Sequence, residues 1–264
     1  MRIMSDEEQR KDLIRVQELL EKQDDRVLES DIIGIQGGVG YGVVSAATGT
    51  VFNKQKVSFA LPSHTALCLN ISHNAFLRAQ KISDDCLFQQ KPHGYTAEEG
   101  LPFLFDLFES MLINVVFAFT ALDAYTNLII PDTYVYDREH AGKRYQERYN
   151  KEQIERNITL DEKLSVIVPD ITGIKFSKGG SLWNRYSDLK KTRDRIIHLK
   201  SADISGSKEK QVDSIWAELL SRRHKDASLI AHEIIKHFPV KIDPKESPTA
   251  KGKNRWVDKF PFTN

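Results

Sequence analysis

The stretch that decides the fold is Phe103-Leu-Phe-Asp-Leu-Phe-Glu-Ser-Met-Leu-Ile-Asn-Val-Val-Phe-Ala-Phe-Thr-Ala-Leu-Asp-Ala-Tyr-Thr-Asn-Leu-Ile-Ile130. Its apolar residues recur at helical spacing, so densely that the predicted helix must be largely buried. The pattern ends at Pro131, which cannot continue a helix. Other helices are needed to cover such a segment.

The pattern remains helical as far as Phe238, which predicts a helical bundle over residues 101–240. The further predicted helices are Arg138–Arg156, Asp161–Val168, Ser181–Lys200 and Lys208–Phe238. Residues 241–264 are rich in Pro and Lys and are predicted to be an extended tail.

The chain before the bundle has a different composition. An amphipathic helix is predicted over residues 6–29, followed by a segment rich in Gly, Val, Thr, Ser and Phe. Four short strands are predicted in that segment, at Ile32–Gln36, Tyr41–Ser45, Val57–Leu61 and Leu67–Ile71. A polar stretch over 84–102 marks a domain boundary. We therefore predict an α+β chain, with a smaller β-rich N-terminal domain at 1–95 and an all-α bundle after it.

Composition limits the function classes. The chain has 264 residues, 40% hydrophobic and 28% charged, and two cysteines, as in an ordinary soluble globular protein. Its charged start is unlike a signal peptide, and no uninterrupted apolar run reaches the ~20 residues that span a bilayer. We expect a cytoplasmic protein that does not enter a membrane. The net charge of +1 provides no global field for nucleic acid, so a polyanion site must be a local patch.

Such a patch lies in Ser181–Lys200, which carries six Lys or Arg residues and two Asp residues. Near its end stands Arg193-Asp-Arg-Ile-Ile-His198. A guanidinium can clamp phosphate oxygens, and an imidazole can take or give a proton near neutral pH. We predict that His198 removes the proton of an RNA 2′-hydroxyl while Arg193 stabilises charge on the attacked phosphate. The predicted RNA-binding cations beside them are Lys190, Lys191 and Arg195.

The spacing of Arg193 and His198 along the helix does not by itself place both side chains at one phosphate. Residues 193 and 198 are about 140° apart around an ideal helix. A long Arg, a helix end or a second subunit is needed to bring both to one phosphate. The alternative is a solvated basic face, with His198 favoured at the helix C-terminus by the macrodipole.

The segment Arg193-Asp194-x3-His198 resembles the motif of the HEPN superfamily, in which an arginine is followed by a polar residue and then by a histidine near the end of a bundle helix. Ala118-Phe-Thr-Ala-Leu-Asp-Ala-Tyr-Thr-Asn127 is similar to the Ala-rich first HEPN helix with its acid and its Asn. The resemblance covers about residues 101–238. Asp123 and Asn127 share one helix face and would then support the site; a buried polar pair is the alternative for them.

The resemblance implies a HEPN-like bundle that forms a homodimer and joins two Arg/His pairs in one cleft. It implies a metal-independent endoribonuclease, with Arg193, Asp194 and His198 as catalytic residues and no cofactor. Such domains act as toxins, antiviral defence or stress effectors, often restrained by an inhibitory partner or antitoxin. Two alternatives stay open: a catalytically silent RNA- or nucleotide-binding module, and a helical protein-interaction module.

Overall fold

The computed structural model describes residues 7, 24, 26, 32–34, 41–43, 47–87, 97–139, 146–204, 214–238 and 255–262. These residues are mostly helical, with three two-stranded antiparallel sheets, which confirms a mostly helical α+β chain. The predicted helix over residues 6–29 lies almost entirely outside the described residues.

Two hairpins stand in the first part of the chain. Their strands are β1 (Ile32–Gly34), β2 (Tyr41–Val43), β3 (Ala47–Phe52) and β4 (Gln55–Ala60). Asn53 and Lys54, both at positive φ, form the two-residue turn between β3 and β4 that suits the twist of a hairpin. Three of the four predicted strands are thus confirmed, whereas β3 was not predicted.

The fourth predicted strand, Leu67–Ile71, is wrong. It lies inside helix α1 (His64–Ile82), which continues as a π-helical turn over Ser83–Leu87. The residues of α1 that are buried recur at helical spacing, and a short apolar run does not distinguish the two structures. They include Ala66, Leu69, Phe76 and Ala79.

Helix α2 (Ala97–Ile129) is the central helix of the bundle. Its inner face is buried along its length, as predicted, while Phe103, Phe105 and Leu128 lie on an exposed face. The buried positions include Leu107, Met111, Val115, Ala118, Phe119, Leu122 and Tyr125.

The helix predicted at Arg138–Arg156 is largely wrong. A hairpin, β5 (Val135–Glu139) and β6 (Gln146–Asn150), precedes the short helix α3 (Lys151–Asn157). Asn150 begins α3 with a capping box, in which its side chain accepts from the Gln153 backbone and the Gln153 side chain accepts in return. This capping box marks the position at which the charged segment changes from strand to helix.

The next element is longer than the predicted Asp161–Val168. It consists of α4 (Leu160–Glu162), a π-helical segment at Lys163–Ile167 and α5 (Val168–Thr172). Pro169 lies in the first turn of α5, where a missing N–H costs little, so it does not end the helix.

The C-terminal part of the bundle contains α6 (Ser181–Ile197), α7 (Ser201–Ile204), α8 (Ile215–Ser221) and α9 (Ala227–His237). The single helix predicted at Lys208–Phe238 is therefore two, because Ser214 and Asp226 each cap a new N-terminus with their side chains. Helix α10 (Arg255–Lys259) interrupts the predicted extended tail.

The chain divides into two compact units, one of residues 1–67 with 240–264 and one of residues 68–239. This division differs from the predicted domain boundary near residue 95, which stays a prediction. Most of α1 belongs to the second unit, where the Ser72 hydroxyl donates to the Asn114 carbonyl oxygen at 2.7 Å.

Over Pro102–Ile129, helix α2 is long and apolar enough to cross a membrane. The core helix of a soluble protein meets the same criteria. Two buried polar side chains of α2 are satisfied within the second unit: Ser110 donates to the Asp106 carbonyl oxygen, and Asn114 bonds Ser72 and Asp226. The helix is thus compatible with a soluble bundle, and a cytoplasmic location stays a prediction.

Candidate RNA site at the end of helix α6

Helix α6 is held by its first half. Tyr186 and Leu189 are buried, and the Tyr186 ring stacks on Phe119 of α2 at 6.3 Å between centroids. The Tyr186 hydroxyl donates to an Asp161 carboxylate oxygen. Burial and this carboxylate raise the pKa of Tyr186 far above its usual value, so the phenol stays protonated. This half of α6 is a structural anchor.

Arg193 extends from α6 over α2. Its guanidinium carbon lies 4.1 Å from the centre of the Phe119 ring, a cation–π contact. Its Nη1 donates to Asp194 Oδ1 at 2.6 Å, and the two side chains are 33% and 40% exposed. Nε and Nη2 of Arg193 have no partner among the residues the structure describes. Arg193 is therefore held in place with donors still available to a ligand.

Asp123 and Asn127 meet on one face of α2, as predicted from their spacing. The residue that joins them was not predicted: Lys163 Nζ donates to Asp123 Oδ1 at 3.1 Å and to Asn127 Oδ1 at 2.7 Å. Lys163 is buried, while the Asp123 side chain is 46% exposed. Asp123 and Asn127 therefore share a buried partner, as in a buried polar pair, while Asp123 remains accessible enough to support a site.

Most cations of α6 are neutralised by acids from other elements. Lys190 pairs with Asp161 at 2.6 Å, and Arg185 pairs with Glu233. Lys191 is exposed and has no partner within the described part of the chain. The positive excess of the helix sequence is thus much smaller in the folded protein.

Arg195 is committed to an internal network. It donates to Asp203 at 2.9 Å and to Glu218 at 3.2 Å. Burial alone would raise the pKa of the Asp203 carboxyl, but hydrogen bonds from the backbone of Lys200 and Ile215 and from Arg195 bring it below its usual value. RNA binding by Lys190 and Arg195 stays a prediction, and it requires these residues to leave their ion pairs.

His198 stands just beyond the last turn of α6. Its backbone N–H donates to the Asp194 carbonyl oxygen at 2.9 Å, and it ends the helix as the C-cap. Its side chain is exposed between Ile197 and Leu199, which are each about half exposed. No described contact joins the ring to Arg193. Within one chain, the described contacts therefore do not bring the two predicted catalytic side chains together.

A second polar cluster lies elsewhere in the bundle and was not predicted. His73 Nδ1 lies 2.6 Å from Asp226 Oδ2, and Asn114 and Ser228 also bond this carboxylate. Although serine, histidine and aspartate meet here, both Ser228 and Asp226 approach the same His73 nitrogen, which is not the order of a proton relay. Within the described ranges, no group of three or more His, Cys, Asp or Glu residues is arranged to hold a metal ion.

A sequence signal for Lys163 exists. Leu160, Lys163, Leu164 and Ile167 recur at helical spacing, so the lysine falls on the buried face. A lone cation among such positions indicates a buried partner.

Comparison with protein-family models, with curated proteins and with solved structures gives no match. The resemblance to the HEPN superfamily therefore depends on the two short motifs alone.

Proposed function

We propose that this protein is a metal-independent endoribonuclease of the HEPN type. The observation that carries the proposal is the guanidinium of Arg193, which is one third exposed and is held on Phe119, one turn before Asp123 on the same face of α2. A fixed cation with free donors is suited to a phosphate, since such donors cost little reorganisation when charge develops.

In the proposed reaction, the His198 imidazole takes the proton of a ribose 2′-hydroxyl. The 2′-oxygen then forms a bond to the adjacent phosphorus, and the bond from phosphorus to the 5′-oxygen breaks. The leaving 5′-oxygen takes a proton from water, and the protonated His198 returns its proton to solvent, which gives a 2′,3′-cyclic phosphate and a 5′-hydroxyl. At the phosphate, Arg193 donates to the oxygens that gain charge, and Asp194 orients the guanidinium by accepting from Arg193 Nη1.

A second subunit completes the proposed site. Arg193 lies over α2, whereas His198 lies beyond the helix end with Ile197 and Leu199 half exposed beside it. A homodimer would bring His198 of one protomer to the phosphate held by Arg193 of the other. The biological roles we propose are those of a toxin, an antiviral defence protein or a stress effector, restrained by an inhibitory partner.

The second candidate is an RNA-binding module without cleavage. It is favoured by the ion pair between Arg193 and Asp194 and by the lack of a described contact between Arg193 and His198. It predicts salt-sensitive RNA binding without products, because phosphate contacts release counterions.

An RNA cleavage assay with EDTA present distinguishes the two candidates. We expect wild-type protein to cut RNA, and His198→Ala and Arg193→Ala each to lower the rate by at least about 100-fold. His224→Ala and Arg78→Ala are matched controls, because they remove an exposed histidine and an exposed arginine outside the site. Cutting that survives both site variants would rule out this site, and binding without cutting would favour the second candidate.

A further inference from the structure

Lys163 is the most deeply buried cation of the described chain, at 1% exposure. Burying an ammonium is costly unless each of its donors finds an acceptor. Three acceptors surround Nζ: Asp123 Oδ1 at 3.1 Å, Asn127 Oδ1 at 2.7 Å and the Glu155 carbonyl oxygen at 3.3 Å. All three donors of Lys163 are therefore used inside the bundle, and none is available to a ligand.

Lys163 leaves the outer atoms of its partners open. Asp123 Oδ2 and Asn127 Nδ2 have no hydrogen-bond partner among the residues the structure describes. Because Lys163 bonds the Oδ1 atom of Asn127, the amide nitrogen of Asn127 is directed away from the lysine. The π-helical segment that begins at Lys163 changes the local helical register, and such segments are frequent at functional sites.

The open atoms belong to residues on the same face of α2 as Phe119, which Arg193 contacts. Phe119, Asp123 and Asn127 follow one another at intervals of four residues, so they occupy one face of α2. Arg193 lies on the first of them. A cation, a carboxylate oxygen and an amide nitrogen thus follow one another along about two helical turns.

This order of groups suits one nucleotide. A phosphate takes the Arg193 donors, a ribose hydroxyl donates to a carboxylate, and an amide N–H donates to a ribose or base oxygen. The 2′-hydroxyl is the group by which a protein distinguishes RNA from DNA at a given position.

We propose that Asp123 and Asn127 bind the ribose of the nucleotide whose phosphate contacts Arg193, and that Lys163 is the positioning residue that holds them. This inference rests on the proposed action on RNA and names the groups that select RNA over DNA.

The test is a binding competition between an RNA 12-mer and a DNA 12-mer of the same sequence. All proteins carry His198→Ala, so that the RNA is not cut. We expect the parent to prefer RNA by at least about 10-fold, since a hydrogen bond to a charged group supplies that much discrimination. Asp123→Leu should reduce this preference to about 1 while DNA affinity stays unchanged, whereas Arg193→Ala should weaken both oligonucleotides equally.

Lys163→Met tests positioning, because methionine retains an unbranched apolar side chain, one atom shorter, and removes the charged group. We expect it to lower the RNA preference as far as Asp123→Leu does. The double variant Lys163→Met/Asp123→Leu should show the same preference as Asp123→Leu alone, since Lys163 acts through Asp123. If either variant fails to fold, Asp123→Asn, which retains the shape of the side chain, should lower the preference several-fold.

The outcomes separate this inference from the proposed function. Binding of RNA with a preference that the Asp123 and Lys163 variants leave unchanged overturns the ribose subsite and leaves RNA as the ligand. A loss of both RNA and DNA binding in Lys163→Met, with normal unfolding, overturns its positioning role. No RNA binding by the parent overturns the subsite and the proposed function together.

Discussion

Two polar clusters in the bundle differ in how many of their hydrogen-bonding atoms have no partner among the described residues. We call them the Asp226 cluster (Ser72, His73, Asn114, Asp226 and Ser228) and the Arg193 site (Phe119, Asp123, Asn127, Lys163, Arg193 and Asp194). The Asp226 carboxylate lies within hydrogen-bond distance of His73 Nδ1 at 2.6 Å, the Ser228 hydroxyl at 2.6 Å, the Ser228 N–H at 2.9 Å and the Asn114 amide at 3.1 Å. The carboxylate of Asp123 instead has one described partner and is about half exposed.

This difference indicates a structural role for the Asp226 cluster and a ligand-binding role for the Arg193 site. The buried carboxylate of Asp226 joins α1, α2 and α9, and it stabilises the fold because its hydrogen bonds offset the cost of burying the charge. An open, half-exposed carboxylate beside a fixed arginine gains little stability and retains capacity for a ligand. Polar residue types alone would have ranked His73, Ser228 and Asp226 above Asp123, but the contacts support the opposite order.

The largest expected effect tests the Asp226 cluster. Asp226→Ala removes the cap of α9 and the carboxylate that accepts from the Ser228 hydroxyl and the Asn114 amide, so we expect the free energy of unfolding to fall by about 3 kcal/mol. Urea unfolding followed by circular dichroism measures it. Asp106→Ala is the control, because its pair with Arg78 is exposed and should cost less than about 1 kcal/mol. Equal losses in the two variants would contradict the structural role of the Asp226 cluster.

The next effect concerns Asp203, whose carboxylate accepts hydrogen bonds from Arg195 and from the backbone N–H groups of Lys200 and Ile215. Asp203→Asn should lower the free energy of unfolding by about 2 kcal/mol at pH 7. Because folding lowers the pKa of Asp203, its contribution is present above the unfolded value of about 3.9 and is lost as pH falls through the folded value. The gap between wild type and variant should therefore shrink from pH 5 to pH 3 in urea unfolding. A gap that widens over this range would show that the sign is wrong.

A smaller effect distinguishes free cations from paired ones on α6. If RNA contacts this face, Lys191→Gln should reduce the slope of log K against log salt by about 1, because its exposed ammonium meets a phosphate. Lys190→Gln should leave the slope nearly unchanged, since Lys190 already pairs with Asp161. Filter binding at several salt concentrations checks both, and a larger slope change for Lys190 than for Lys191 would contradict the pairing argument.

The smallest expected effect is the change in stability when His198 is replaced. His198→Ala should change the free energy of unfolding by less than about 0.5 kcal/mol, because the side chain is exposed and its ring has no described partner. Thermal unfolding measures it in the same samples used for cleavage. A large loss of stability would mean that His198 is a structural residue.

Helical periodicity in the amino-acid sequence was enough to predict the central helix, helix α6 and the common face of Asp123 and Asn127. The reason is that helical periodicity is a local property: the buried spacing of 103–130 and the four-residue step between Asp123 and Asn127 follow from 3.6 residues per turn. The same local pattern did not separate strand from helix at Leu67–Ile71 or at Arg138–Arg156, where short segments fit both periods.

Only the tertiary structure decided which charges are free. The acids Glu233, Asp161 and Glu218, which neutralise Arg185, Lys190 and Arg195, are 23 to 48 residues away from them along the chain. Arg195 also pairs with Asp203, eight residues away, and Lys163 reaches Asp123 across 40 residues. Side chains so far apart meet through helix packing, which no local spacing encodes. For this reason the basic patch of Ser181–Lys200, clear in the sequence, becomes in the folded chain an anchored arginine, an exposed lysine and a histidine at the helix end.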